Sequence, residues 1–185
     1  MRPAIFLDRD GVLNRAIVRD RRPYPPSNLA ELELSDGALE ACVRFQDAGL
    51  PLIVVSNQPD ITRGTTTQEE VQAVNSWLMD RLPLTEIRIC PHDDSDNCPC
   101  RKPKPGLLMS AASELGVDLR ASIMVGDRWR DVEAGKRAGC RTVWIDCNYD
   151  ERSPEAPDFR TTSLLGAADW ILESIRKGVP SCTTA

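Results

Sequence analysis

The sequence lacks several features that would assign a protein to a broad class at once. Its 185 residues include one histidine, and no apolar run is long enough to cross a membrane. No signal-peptide pattern opens it, so we expect a cytoplasmic protein without a membrane partner. Acidic residues outnumber basic ones, 28 against 23, and the net charge of −5 argues against nucleic acid as a partner. We expect one domain over residues 1–178 and a flexible tail over residues 179–185.

Nucleotide-binding signatures are also missing, because neither a Walker loop nor a dinucleotide fingerprint occurs. With no activated serine or cysteine in evidence, a carboxylate is the natural nucleophile. Residues 4–7 form an apolar run typical of a buried strand, and Asp8, Asp10 and Gly11 follow it. Two carboxylates at such a strand end can share Mg²⁺, or divide nucleophilic attack and proton transfer between them. An ordinary Asp-Gly turn would look the same in this stretch alone.

Strand and helix patterns alternate along the chain. The predicted strands cover residues 4–7, 52–55, 87–90, 122–125 and 142–145. The predicted helices cover residues 36–48, 67–81, 105–115 and 164–175, and a further helix ends at residue 138. Residues 15–32 and 146–162 are polar, contain proline and are predicted to be loops. The alternation predicts an α/β fold with a mostly parallel, Rossmann-like sheet and helices on both faces. No insertion is long enough for a separate cap domain.

Polar residues follow the other predicted strands as well. Ser56 and Asn57 end the second strand, where a hydroxyl and an amide can donate hydrogen bonds to a phosphate oxygen. Asp127 follows the fourth strand, and Asp131 lies at the start of the next helix. Acids for Mg²⁺ together with these donors and Lys102 predict a phosphoryl-transfer site at the carboxyl edge of the sheet.

Three of the seven cysteines and the only histidine fall within eleven residues. The ligand set Cys90, His92, Cys98 and Cys100 suits a tetrahedral, structural zinc ion, and we name residues 90–100 the zinc loop. In an intracellular protein such crowding favours metal binding over disulfides.

Basic residues follow the zinc loop directly. Arg101 and Lys102 come next in the chain, so a metal-bound loop would aim their charges at the site. A second basic source is the loop after Asn14, with arginines between Arg15 and Arg22 that either face solvent or reach a second anionic group of a substrate.

The motifs Phe-Leu-Asp-Arg-Asp-Gly, Cys-x-His, Cys-x-Cys-Arg-Lys-Pro and Val-Gly-Asp resemble, in this order over residues 4–147, the haloacid dehalogenase superfamily of phosphatases. The resemblance implies that Asp8 is the nucleophile and that Asp10 protonates the leaving alcohol and then deprotonates water. It implies the following further roles: Ser56 and Lys102 hold the phosphoryl group, Asn57 and Arg101 bind substrate, Asp131 supports the acidic end, and Asp8, the Asp10 carbonyl and Asp127 bind Mg²⁺.

The motifs are most similar to a branch that contains heptose bisphosphate phosphatases and histidinol-phosphate phosphatases. We expect a small phosphorylated sugar or alcohol as substrate, with removal of the 7-phosphate of D-glycero-D-manno-heptose 1,7-bisphosphate as the leading reaction. Histidinol phosphate is the alternative substrate, because the zinc loop is short and carries Asp93, Asp94 and Asp96. A catalytically idle domain that only binds a phosphorylated ligand is the third interpretation. The sequence leaves the oligomeric state open, and a monomer is consistent with it.

Overall fold

The structure, a computed structural model, describes residues 1–26 and 29–178, so the predicted tail at residues 179–185 lies outside the described residues. The strands are β1 (Ile5–Leu7), β2 (Ile17–Arg19), β3 (Arg22–Tyr24), β4 (Leu52–Asn57), β5 (Glu86–Cys90), β6 (Ile123–Gly126), β7 (Arg141–Ile145) and β8 (Phe159–Thr161). The helices are α1 (Ala38–Asp47), α2 (Asp60–Arg63), α3 (Gln68–Met79), α4 (Gly106–Leu115), α5 (Trp129–Ala138) and α6 (Leu164–Gly178).

Six strands form one parallel sheet in the order β5-β4-β1-β6-β7-β8. The central strand β1 pairs with β4 and β6, so that Phe6 lies opposite Ile53 on one side and Met124 on the other. The prediction of a mostly parallel sheet is confirmed. Because the carboxyl ends of β4, β1 and β6 are neighbours, the polar residues that follow these strands meet at one place.

Helices cover both faces of the sheet, as predicted. On one face α1, α3 and α6 bury Phe45, Leu78 and Ile171 against alternate residues of β1 and β4. On the other face α4 and α5 bury Leu108 and Ala134. A strand buried on both faces has no polar side to show, which explains the continuous apolar runs in the sequence.

Three short strands lie in the two segments that were predicted to be loops, and both predictions are corrected. Within residues 15–32, β2 and β3 form an antiparallel hairpin whose turn residues Asp20 and Arg21 have positive φ angles of 50° and 59°. Within residues 146–162, β8 adds a sixth strand beside β7, and Phe159 stacks on Trp170 with ring centroids 5.1 Å apart. Strands of three residues are too short to show a periodic pattern.

The hairpin segment leaves and rejoins the core at one point. Asn14 and Leu34 form an antiparallel bridge there, and the backbone N–H of Asp150 donates to the Arg21 carbonyl at the hairpin turn, with 2.8 Å between the atoms. The hairpin is therefore held at both its base and its tip.

Among residues 1–26 and 29–178, no helix has both the length and the apolar character that a membrane crossing requires.

Candidate active site

A buried lysine joins an acidic residue that follows β1 to another in the first turn of α5. The Lys102 Nζ lies 2.7 Å from Asp8 Oδ1 and 2.6 Å from Asp131 Oδ1, and all three side chains are almost fully buried. Burial alone would lower the pKa of Lys102, but the carboxylates of Asp131 and Asp8 outweigh it and raise that pKa to about 12. Lys102 is therefore a fixed positive charge beside the predicted nucleophile.

The Asp8 carboxyl does not ionise as easily as an ordinary aspartate. Burial and the nearby charge of Asp131 raise its pKa to about 6, and Lys102 offsets only part of this shift. A cation bound beside Asp8 would favour the ionised form, which is the form that can attack phosphorus.

Asp127 supplies the clearest sign of a cation site. It is 3% exposed, and neither of its carboxylate oxygens has a hydrogen-bond partner of acceptable geometry, although the Tyr149 hydroxyl approaches the same group. Burial, Asp8 and Asp131 raise its pKa well above the ordinary value. Ligand oxygens of Asp8, Asp127 and Asp131 lie within 4.8 Å of one another. Three buried carboxylates against one lysine suit a hard divalent cation such as Mg²⁺.

A glycine makes room for this carboxylate. Gly11, which follows the predicted pair of acids, has a φ angle of +86°. A Cβ atom at this position would lie 1.9 Å from Asp127 Oδ2, which no side chain can tolerate. The Asp-Gly turn after β1 is therefore part of the site and brings its backbone close to Asp127.

Asp10 lies in a separate hydrogen-bond network. Its Oδ2 accepts from Arg9 Nη2 at 3.0 Å, from Arg9 Nε at 3.2 Å and from Gln58 Nε2 at 3.0 Å, and its Oδ1 accepts from Asn14 Nδ2 at 2.9 Å. Burial acts to raise the pKa of Asp10, but the Arg9 charge and these hydrogen bonds lower it overall. The two acids that follow β1 thus have opposite pKa shifts: without a bound cation, the predicted nucleophile Asp8 is the weaker acid and the predicted proton donor Asp10 is the stronger one.

The two polar residues at the end of β4 have different partners. Ser56 is buried, and its Oγ accepts from Gln58 Nε2 at 2.9 Å. The Asn57 amide makes two hydrogen bonds of 3.0 Å with the backbone of Lys102, one to its carbonyl and one from its N–H. Asn57 therefore holds the Lys102 backbone in place, and its predicted contact with substrate stays a prediction.

A cavity of about 320 Å³ unites these residues. Its wall includes the predicted groups Asp8, Asp10, Ser56, Asn57, Arg101, Lys102, Asp127 and Asp131. The hairpin contributes Tyr24 and Pro25, which also line a larger neighbouring cavity of about 630 Å³. The wall also contains Gln58, Arg63 and Arg130, which were not predicted from the sequence, although Gln58 directly follows Asn57 at the end of β4.

Three arginines at the rim of the 320 Å³ cavity are paired with two aspartates of the zinc loop. Asp94 Oδ1 lies 2.8 Å from Arg101 Nε and 3.1 Å from Arg130 Nη1. Asp93 accepts two hydrogen bonds of 2.7 Å from Arg63, which lower its pKa to about 2. We name these five residues the rim cluster. Arg63 also pairs with Asp60 at 3.3 Å in the same cavity wall, so three arginines there face three aspartates.

The predicted zinc ligands converge. The Cys100 Sγ lies 3.2 Å from Cys90 Sγ, 3.3 Å from Cys98 Sγ and 3.3 Å from His92 Nδ1. Tetrahedral zinc with Zn–S bonds of about 2.3 Å needs sulfurs about 3.8 Å apart, so a small expansion would admit the ion. All four ligand atoms lie within 4.8 Å of one another and the cysteines are free, which fits a closed Cys₃His site.

Comparison with known proteins decides the family. Residues 99–167, which include Lys102 and Asp127, match a family model described as "HAD-hyrolase-like". A D-glycero-beta-D-manno-heptose-1,7-bisphosphate 7-phosphatase from Yersinia pestis is 34% identical, over 94% of this chain and 91% of that protein. The protein of the same name from Escherichia coli K12 is 35% identical, over 94% of this chain and 90% of its own length. The chain belongs to the haloacid dehalogenase superfamily of phosphatases. The superfamily resemblance of the motifs is thereby confirmed, and the enzyme is a hydrolase.

A solved structure supports the same assignment for this haloacid dehalogenase phosphatase. The D,D-heptose 1,7-bisphosphate phosphatase from B. bronchiseptica, crystallised with magnesium and phosphate, superposes with a TM-score of 0.78 at 28% identity. The alignment covers 94% of this chain and 99% of that one. The family fold therefore extends over nearly the whole chain.

Proposed function

We propose that this phosphatase is Mg²⁺-dependent and removes the 7-phosphate of D-glycero-D-manno-heptose 1,7-bisphosphate through an aspartyl-phosphate intermediate. The observation that carries the substrate is the rim cluster, where three guanidinium groups stand beside the catalytic cavity, each paired with an aspartate whose place a phosphate group can take. The names of the relatives from Yersinia pestis and Escherichia coli support the same substrate.

In the first step an Asp8 oxygen attacks phosphorus while the bond from phosphorus to the leaving oxygen breaks. Asp10 gives its proton to that oxygen, and Lys102 and Ser56 hold the phosphoryl oxygens. In the second step Asp10 takes a proton from the water that hydrolyses the aspartyl phosphate. Asp8, Asp127 and the Asp10 carbonyl would hold Mg²⁺, and its charge would keep Asp8 ionised and would offset the charge of the phosphoryl oxygens.

The rim cluster argues against histidinol phosphate. The cationic amine of histidinol needs a carboxylate that is free to pair with it, and Asp93 and Asp94 are already paired with arginines. Asp96, the third acid of the zinc loop, accepts from the Asp93 N–H and does not line the 320 Å³ cavity. The second phosphate of a bisphosphate instead needs cations, and Arg101 and Arg130 can turn from Asp94 to a phosphate with little change in position. The catalytically idle alternative is not favoured by the named relatives.

The arginines of the hairpin segment do not act as one group. Arg15 pairs with Asp36 at 2.8 Å and is half exposed, whereas Arg19 lines the 630 Å³ cavity beside Tyr24. Of these two side chains, Arg19 is therefore the one placed to meet a distant part of the substrate. Its contact with substrate stays a prediction.

The zinc ion, in this proposal, is structural. Its four protein ligands leave no open coordination position, and Arg101 and Lys102 follow the last ligand, Cys100, directly. Zinc would thus fix the start of the segment that carries both charges. Unpaired cysteines are also consistent with the cytoplasm, which we propose as the location.

A comparison of kcat/KM among heptose 1,7-bisphosphate, histidinol phosphate and p-nitrophenyl phosphate tests the substrate. We expect the bisphosphate to give the highest value. Arg101→Ala should lower its kcat/KM by about 10- to 100-fold, because a charged hydrogen bond contributes about 1.5–3 kcal/mol, and should affect p-nitrophenyl phosphate far less. Arg44→Ala is the control, since Arg44 pairs with Asp169 on α6, away from the site. A higher value for histidinol phosphate would refute the proposed substrate.

A further inference from the structure

The arginine between the two acids of β1 is among the largest fully buried side chains of the described chain. Two of its guanidinium nitrogens, Nε and Nη2, donate to Asp10 Oδ2. The third nitrogen of Arg9, Nη1, donates to Asn75 Oδ1 at 3.1 Å. A buried guanidinium is stable only where its charge and its N–H groups find partners, so Asp10 and Asn75 together determine where Arg9 lies.

Asn75 occupies an unexpected place for an amide. It is 4% exposed on α3, on the face that also buries Val71, Val74 and Leu78. An amide there is costly unless it is hydrogen-bonded, and its observed partner is Arg9. Asn75 lines neither the 320 Å³ nor the 630 Å³ cavity, so it does not reach the reacting atoms. An effect on chemistry must therefore pass through Arg9.

We propose that Asn75 is a positioning residue which, by holding Arg9, sets the orientation of the Asp10 carboxyl toward the leaving group; this rests on the proposed function. Arg9 supplies two of the four hydrogen bonds that Asp10 accepts, and Gln58 and Asn14 supply the others. Asn75 on α3 holds the Nη1 end of the Arg9 guanidinium, and the Nε and Nη2 groups hold Asp10 at the wall of the 320 Å³ cavity. Without Asn75, Arg9 can rotate and carry Asp10 with it.

The chemistry of the first step makes this role measurable. As the bond from Asp8 to phosphorus forms, the leaving oxygen takes the proton of Asp10. An alkoxide is a strong base and needs that proton, whereas p-nitrophenolate is a weak base and can leave without it. The constant kcat/KM covers the reaction up to its first irreversible step, so it reports on this proton transfer and not on later hydrolysis. A displaced Asp10 should slow alkyl phosphates more than aryl phosphates.

The experiment compares kcat/KM for glycerol phosphate and for p-nitrophenyl phosphate in three variants. Asn75→Leu should lower the value for the alkyl ester about 10-fold more than the value for the aryl ester. Asn75→Asp keeps an acceptor for Arg9 and should restore the wild-type ratio. Leu78→Ala, a buried change on the same face of α3, should lower the melting temperature without changing the ratio.

If Asn75→Leu lowers kcat/KM equally for the two esters, so that the ratio of the two values does not change, the positioning role is overturned. If Asn75→Leu does not fold, Asn75→Ala removes the same acceptor with less steric change and is judged by the same ratio. The test is separate from that of the substrate, because neither ester is a heptose bisphosphate. Wild-type enzyme that hydrolyses both esters but not the bisphosphate would refute the proposed substrate and leave this inference intact.

Discussion

The cluster of Asp8, Asp127 and Asp131 sets three carboxylates against the single ammonium group of Lys102. In magnesium-free protein, this imbalance should make Asp8 destabilise the fold as the pH rises. The pKa of Asp8 is about 6 in the folded chain and 3.8 for an ordinary aspartate. Between these values the folded chain keeps a proton that the unfolded chain has released, so raising the pH favours unfolding.

The size of the effect follows from the shift. A difference of about two pKa units corresponds to about 3 kcal/mol of unfolding free energy, lost as the pH rises from 3.8 to beyond 6. About half of this, roughly 1.5 kcal/mol, falls between pH 5 and pH 8. In a domain of this size it corresponds to about 3–6 °C in melting temperature. Asp8→Asn has no titrating group at this position. Between pH 5 and pH 8 its free energy of unfolding should therefore rise by roughly 1.5 kcal/mol relative to that of wild type.

Urea unfolding of both proteins at pH 5, 6, 7 and 8 measures this difference, because titrating groups away from Asp8 contribute to both curves alike. Loss of the Asp8 charge also lowers the raised pKa of Asp127, which adds to the advantage of Asp8→Asn at high pH. Magnesium should be removed by dialysis, since EDTA would also extract zinc. Saturating Mg²⁺ should then remove the disadvantage of wild type at pH 8, because the ion binds the ionised carboxylates. A wild-type minus Asp8→Asn difference that stays constant from pH 5 to pH 8 would refute the electrostatic argument.

Three further outcomes are expected. Elemental analysis should find about one zinc per chain, and Cys98→Ser should lose the metal and unfold at a lower temperature. Asp131→Ala should lower kcat/KM about 10- to 100-fold in steady-state assays at saturating Mg²⁺, because it removes a buried partner that holds the Lys102 ammonium group. Gly11→Ala should raise the Mg²⁺ concentration needed for half-maximal activity by about 10-fold or more, because its Cβ would displace Asp127.

Much of the site could be predicted because parallel strands end at a common edge. Asp8, Ser56 and Asp127 each follow an apolar run, and the fold brings their positions together. The zinc ligands were equally visible, since Cys90 and Cys100 lie close in the chain. Local patterns of this kind survive folding because they depend on neighbours in sequence.

The contacts between distant segments could not be predicted in the same way. Arg9 and Asn75 are 66 positions apart, and Asn75 lies in a helical stripe that otherwise indicates core. The hydrogen bonds between Asn57 and the Lys102 backbone could not be predicted either, because they depend on the path of the zinc loop. The strands β2, β3 and β8 were missed for a different reason. Their residues are exposed or half-buried and form no continuous apolar run, whereas β1, which is equally short, is apolar and fully buried.

The closed base of the hairpin segment has a consequence for how this enzyme can change. Because Asn14 and Leu34 are already bridged, residues 15–32 form a loop whose ends meet whatever its length. Doubling such a loop costs only about 0.6 kcal/mol in closure entropy, so insertions and exchanges here should leave the strand ends undisturbed. Tyr24 and Pro25 from this loop line both cavities, yet none of the proposed Mg²⁺ or zinc ligands lies on it. We therefore expect exchanges of this loop to change the substrate preference and to leave the proposed phosphoryl-transfer residues in place.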